Sequence, residues 1–255
     1  MVSRSVRRST LLLAVVAMLA VPTGASANHS WGGYHWARTS NPFTVKLGDN
    51  VSSAWDRYLG TTSSDWNQST VLDTTIVPGG AKPRNCRPTS GRVEVCNAPY
   101  GNNGWLGLAS ISVTGGTHIT QGSVKVNDTY FNTAQYNTPA WRNLVMCQEV
   151  GHTFGLDHQD TNFGNANLGT CMDYTNDPTS NQHPNKHDYD ELVIIYTHLD
   201  STTTVGQTTR AAAALGNARS DWGREISRSA SGHTSMFIRD LGAGNSVVNF
   251  VIWAR

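Results

Sequence analysis

Apolar residues recur along the chain with two periods, and the period sorts the segments. Residues 42–47 alternate apolar and polar and predict a short strand. Asp49 or Asn50 then stands where it can cap a helix running through Trp55 to Leu59. Val71 to Val77 predicts a strand stopped by Pro78-Gly79-Gly80, and Arg92 to Cys96, Trp105 to Val113 and His118 to Tyr130 predict three more. Thr138-Pro139 is a cap followed by a first-turn proline. The helix it opens carries Trp141, Leu144, Val145, Gln148 and His152 on one stripe. Asn185 caps another helix through Leu192, Ile195 and Leu199, with Asp188, Asp190 and Glu191 near its positive end.

After residue 200 the character changes. Thr202-Thr203-Thr204 and Ala211 to Ala214 read as connector, and Met236 to Leu241 with Ser246 to Trp253 as a hairpin across residues 242–245. About 55 residues is marginal for an independent core, so 201–255 is expected to pack on the main domain or form a small accessory module. Trp222, Phe237 and Trp253 read as core packing ahead of a polymer-binding platform. The sequence shows no internal repeat.

The N-terminus adds a compartment to this picture. Arg4, Arg7 and Arg8 precede the apolar run Leu11 to Val21, and Ala25-Ser26-Ala27 supplies small residues before Asn28. That is the pattern of a secretory signal over residues 1–27, and its apolar run is too short to span a bilayer. The mature chain is expected to be exported. Its charge is then near −2, since 19 basic residues lose three arginines against 18 acidic ones. Such a balance excludes nucleic-acid binding by charge and a polybasic membrane anchor, and leaves a protein or peptide as the expected partner of a monomer. Charged residues are only 15% of the chain, while 38% are hydrophobic and 9% aromatic, which is enough for a folded core.

Export makes the four cysteines legible. Cys86, Cys96, Cys147 and Cys171 allow three pairings, of which Cys86–Cys96 with Cys147–Cys171 is favoured. Each bridge should stabilise by roughly 3 kcal/mol. No C-x-x-C spacing supports thiolate metal ligation, and the run Pro83 to Pro88 lies too far into the domain to be a prosegment.

The stretch with chemistry runs from Gln148 to His158. Gln148 and His152 are four apart and share a helix face, Glu149 stands beside them, and Gly155 lets the chain turn so that His158 comes back. Cys171-Met172-Asp173-Tyr174 follows. This arrangement resembles the metzincin metallopeptidases, whose signature is H-E-x-x-H-x-x-G-x-x-H with a Met-turn. Glu149, His152, Gly155, His158 and Met172 match in place, over a resemblance covering roughly residues 40 to 200. The departure is Gln148, where the family has histidine. A Q-E-x-x-H variant also occurs among the gametolysin-like relatives of the matrixins.

The resemblance implies an α+β fold, with a twisted, mostly parallel sheet, an active-site helix and a C-terminal helix over residues 28–200, plus a small β-rich segment. It implies a secreted zinc endopeptidase. Gln148, His152 and His158 would hold Zn²⁺, or another divalent ion such as copper. Glu149 would be the general base and Tyr174 a stabiliser of the tetrahedral intermediate, and Met172 would pack beneath the site. His118 to Tyr130 would offer a strand edge to an extended substrate. His183, His187 and His198 are expected to cap, pack or face solvent, with His187 the first substitute for a missing imidazole. The Asp/Asn-rich run Asp160 to Asp177 lacks EF-hand spacing, so Ca²⁺ has no support there. The alternative function is an inactive relative with an extracellular binding role, and Gln148 is the residue that motivates it.

Overall fold

The computed structural model describes residues 29–208 and 216–254. The expected signal segment and the connector Ala211 to Ala214 lie outside the described residues. The elements are β1 (His35–Trp36), β2 (Phe43–Asn50), α1 (Asp56–Trp66), β3 (Leu72–Pro78), β4 (Arg92–Ala98), β5 (Trp105–Thr114), β6 (His118–Asn127), α2 (Asp128–Phe131), α3 (Pro139–His152), α4 (Lys186–Ile195), β7 (Arg224–Arg228), β8 (Thr234–Gly242) and β9 (Asn245–Trp253). They make a mixed α+β fold around one nine-stranded sheet, in the order β3-β2-β4-β6-β5-β9-β8-β7, with β1 paired to β6.

The two halves of the sheet follow different rules. The pairs β1–β6, β2–β3, β2–β4 and β4–β6 are parallel, as expected for strands joined by crossovers. From β5 onward every pair is antiparallel. The segment after residue 200 therefore extends the main sheet, with β9 hydrogen-bonded along β5 from Trp105 to Val113.

Several expectations change here. The strand expected at His118 to Tyr130 is no edge: β6 lies between β4 and β5. Seven consecutive residues of β6, Gln121 to Asn127, are buried, as suits a strand covered on both faces. Asn50 does not cap a helix, because β2 runs through it and its amide donates to Glu94 Oε2 at 2.7 Å. Helix α1 starts later, with Trp55 at its N-cap and no side-chain cap. Helix α4 stops at Ile195, short of Leu199, and Asp200 then donates its backbone N–H to the Arg38 carbonyl at 2.9 Å.

The caps at Thr138 and Asn185 are as expected. Thr138 accepts from the Trp141 amide, and Asn185 forms a capping box with Asp188. Both favoured disulfides are present, Cys86–Cys96 and Cys147–Cys171. The main core joins Trp36, Trp55 and Trp66 to the inner faces of α1, α3 and the sheet. A second cluster (Trp105, Leu108, Trp222, Phe237 and Val251) fixes the C-terminal strands to β5, so Trp222 and Phe237 are core. No helix among the described residues is long and apolar enough to cross a membrane.

Candidate active site on helix α3

Helix α3 is buried continuously from Leu144 to its end at His152. Its C-terminal turn sets the site. Gly155 adopts φ 97°, and a Cβ there would stand 2.1 Å from the Tyr34 carbonyl oxygen, so only glycine fits. The chain turns back and His152 Nδ1 donates to the Leu156 carbonyl at 2.8 Å. A carbonyl only accepts, so that ring nitrogen carries the proton and Nε2 presents a lone pair. His158 Nε2 lies 3.1 Å from it.

Both imidazoles are buried. Burial, reinforced by His158, holds His152 down at about 3, and burial also holds His158 well below the usual range. The pair is neutral at physiological pH, which is the form a metal accepts. Beside it, Asp157 is pushed up to about 6 by burial, and its Oδ1 accepts from the His158 amide at 2.6 Å.

Glu149 is wholly buried and neither carboxylate oxygen has a hydrogen-bond partner of good geometry. Burial raises its pKa well above the ordinary carboxylate value, with the Ala109 backbone offsetting part of that. The carboxylate is accommodated by β5. A Cβ on Gly107 would stand 2.5 Å from Glu149 Oε1 and 2.7 Å from Val145 Cγ1. Gly107 is thus part of the site, and nothing in its local sequence marks it.

Met172 packs against helix α3, its sulfur 2.8 Å from where a Cβ on Gly151 would be. Tyr174 packs its ring on His158 with centroids 4.1 Å apart, and its hydroxyl accepts from Thr234 Oγ1. Burial raises the Tyr174 pKa, so the phenol stays protonated. Phe250 of β9 stacks on His152 at 4.6 Å with the rings 12° from parallel. Thr234 and Phe250 come from the segment after residue 200, and short-range spacing could not have found them.

Gln148 sits differently from the imidazole pair. It lines a cavity of about 110 Å³ with Trp141, Asp173, Tyr174, His233 and Trp253. His158 borders a smaller cleft with Phe250, and Tyr174 and Thr234 border both spaces. The fold therefore brings His152, His158 and Tyr174 together and puts Gln148 on the adjoining cavity.

The remaining histidines have their own partners. His183 bonds Asp65 at 2.7 Å, and His187 stacks on His29 at 4.9 Å. In the Asp160 to Asp177 run, Asp160 accepts from Asn162 and Asp177 from Thr179 in local turns, while Asp173 Oδ2 accepts from Leu168 and Asn181 and its buried Oδ1 has no hydrogen-bond partner. Among the described residues, His35, His198 and Asp200 bring three donor atoms within 4.8 Å of one another, a set able to hold a cation.

No protein-family model matches this chain, and no curated protein matches it either.

Proposed function

We propose that the chain is a secreted, metal-dependent endopeptidase of metzincin type. The observation that carries this reading is the His152–His158 pair, whose neutral Nε2 atoms meet at 3.1 Å on the helix that also carries the unpartnered, buried Glu149. Zinc–nitrogen bonds of 2.0–2.1 Å in a tetrahedron put ligand atoms about 3.3–3.4 Å apart, so the donor pair fits such an ion. His152, His158 and the Gln148 amide, one turn earlier on α3, would hold it. When bound, a divalent cation polarises a carbonyl and lowers the pKa of water.

The chain's own groups then have defined work. Burial raises the proton affinity of Glu149, and in its ionised form it would take a proton from water and pass it to the leaving amine. Tyr174 accepts from Thr234, so its own O–H is free to donate to an oxyanion. Leu156 orients His152 through Nδ1. Because β9 occupies the side of β5 away from β6, substrate is assigned to the cavity bordered by Gln148, Tyr174 and Trp253, with no strand addition at β5. The two disulfides suit an oxidising compartment, and recovery of exported protein beginning at Asn28 tests secretion.

The deciding experiment is hydrolysis of casein in added zinc by the wild type and by Glu149→Ala. Cleavage by the wild type alone supports the reading. Failure of both folded proteins to cleave overturns it in favour of an extracellular binding role. That second reading draws on Phe250, which covers one face of His152. It requires ligand binding that is indifferent to chelators.

A further inference from the structure

A second histidine cluster is assembled at the other end of the strands that carry the fold. Parallel pairing of β1 with β6 sets His35 opposite His118 in register. After α4, the backbone of Asp200 pairs with Arg38, two residues beyond β1. Three chain segments far apart in sequence thus converge on one carboxylate.

The donor atoms form a small triangle. His35 Nε2 and His198 Nε2 are 3.1 Å apart. Asp200 Oδ1 is 3.5 Å from the first and 3.7 Å from the second. Tetrahedral zinc at 2.0–2.1 Å from each donor needs edges of about 3.3–3.4 Å. His118 Nε2 lies 3.2 Å from the same Oδ1 and flanks the triangle as a further donor.

The surroundings hold these donors in place. His35 Nδ1 donates to the Gly33 carbonyl at 2.7 Å, which leaves a lone pair on its Nε2. Asp200 Oδ2 accepts from the Arg38 amide at 3.1 Å and from Arg38 Nη1 at 3.0 Å, leaving Oδ1 for the imidazoles. Arg38 is itself buried, with its guanidinium over the Tyr196 ring at 4.7 Å. His35 Nε2 thus presents a lone pair, and His198 in its Nδ1–H tautomer would present a second beside the same carboxylate oxygen, a donor set arranged for a cation.

We propose that His35, His198 and Asp200 form a second, structural metal site, separate from helix α3, that takes a zinc-class divalent cation and clamps β1 to the segment after α4. Nitrogen donors favour such an ion over Ca²⁺ or Mg²⁺. With its carboxylate among the donors and fixed by Arg38, the site is assigned a cross-linking role.

The test compares zinc content after dialysis in the wild type, His198→Ala, Asp200→Asn and His152→Ala. The His198 side chain is 55% exposed, so its loss is compatible with folding, which circular dichroism checks. His198→Ala and Asp200→Asn should each carry one zinc fewer per chain than the wild type, whereas His152→Ala keeps that ion. Zinc should also raise the Tm of the wild type by roughly 5–10 °C more than that of His198→Ala. Unchanged zinc content in folded His198→Ala and Asp200→Asn, or no zinc in the wild type, overturns the proposal.

Discussion

Two pairs of imidazoles meet nitrogen to nitrogen at 3.1 Å in this molecule, one on helix α3 and one between β1 and the segment after α4. On α3 the environment is dry, and the carboxylate next in the chain, Glu149, is unpartnered. At the other cluster a carboxylate joins the triangle itself, and Arg38 neutralises and fixes it. Under the two proposals the same donor spacing would serve opposite ends: a site closed by its own carboxylate would hold an ion, while one that keeps its carboxylate out of the donor set would leave a place for a reactant.

The largest expected break in that comparison is Glu149→Ala. Loss of the proton-transfer group should lower peptide hydrolysis by about 10²–10⁴-fold in a casein assay, with the zinc of the His35 cluster unchanged. Gln148→His narrows the difference between the sites by adding an imidazole beside His152. It should tighten zinc binding at α3 by about 10–100-fold in chelator competition, and an unchanged affinity would place Gln148 outside the donor set. Gly107→Ala pushes a methyl group into Glu149 and Val145. The expected cost is about 1–3 kcal/mol in urea unfolding, together with loss of hydrolysis.

The smallest effect is on acid stability. Folding holds His152 down at about 3 against the ordinary imidazole value of 6.5, so between those pH values the unfolded chain binds the extra proton. Stability of the metal-free protein thus falls as pH drops below about 6.5, by about 1.4 kcal/mol per unit for this residue. Glu149 acts in the opposite sense, since its raised pKa makes the folded form bind the extra proton above the unfolded value. Asp157, pushed up to about 6, acts in the same sense as Glu149, so a variant carrying both Glu149→Gln and Asp157→Asn removes that opposition. Its urea unfolding free energy should drop by about 2 kcal/mol for His152 alone between pH 6.5 and pH 5. A flat profile would mean that His152 is hydrated in solution.

What could be read from the sequence was local. Thr138-Pro139 and Asn185 act within one helical turn, and Gly155 acts where the chain must reverse. The distance between His152 and His158 follows from such short-range geometry. Convergence of distant segments left no such trace. His35, His198 and Asp200 have no spacing that signals ligation, because β1–β6 register and an Arg38–Asp200 contact bring them together. Likewise Asn50 looks like a cap until its amide is seen to be spent on Glu94 inside the sheet. The interior position of β6 depends on β5 and β4 both choosing it, which no property of residues 118–130 announces.

The pairing of β5 with β9 has a consequence in time. Trp105 waits for Trp253, roughly 150 residues later in synthesis. At about 5–20 residues per second that is on the order of 10–30 s during which β5 has one unpaired flank. His152 likewise waits about 100 residues for the Phe250 ring that covers it, and Tyr174 about 60 for the Thr234 hydroxyl. The candidate centre is among the last parts of the nascent polypeptide to be completed, and under the proposed peptidase reading an elongating chain would have no finished centre with which to attack its neighbours.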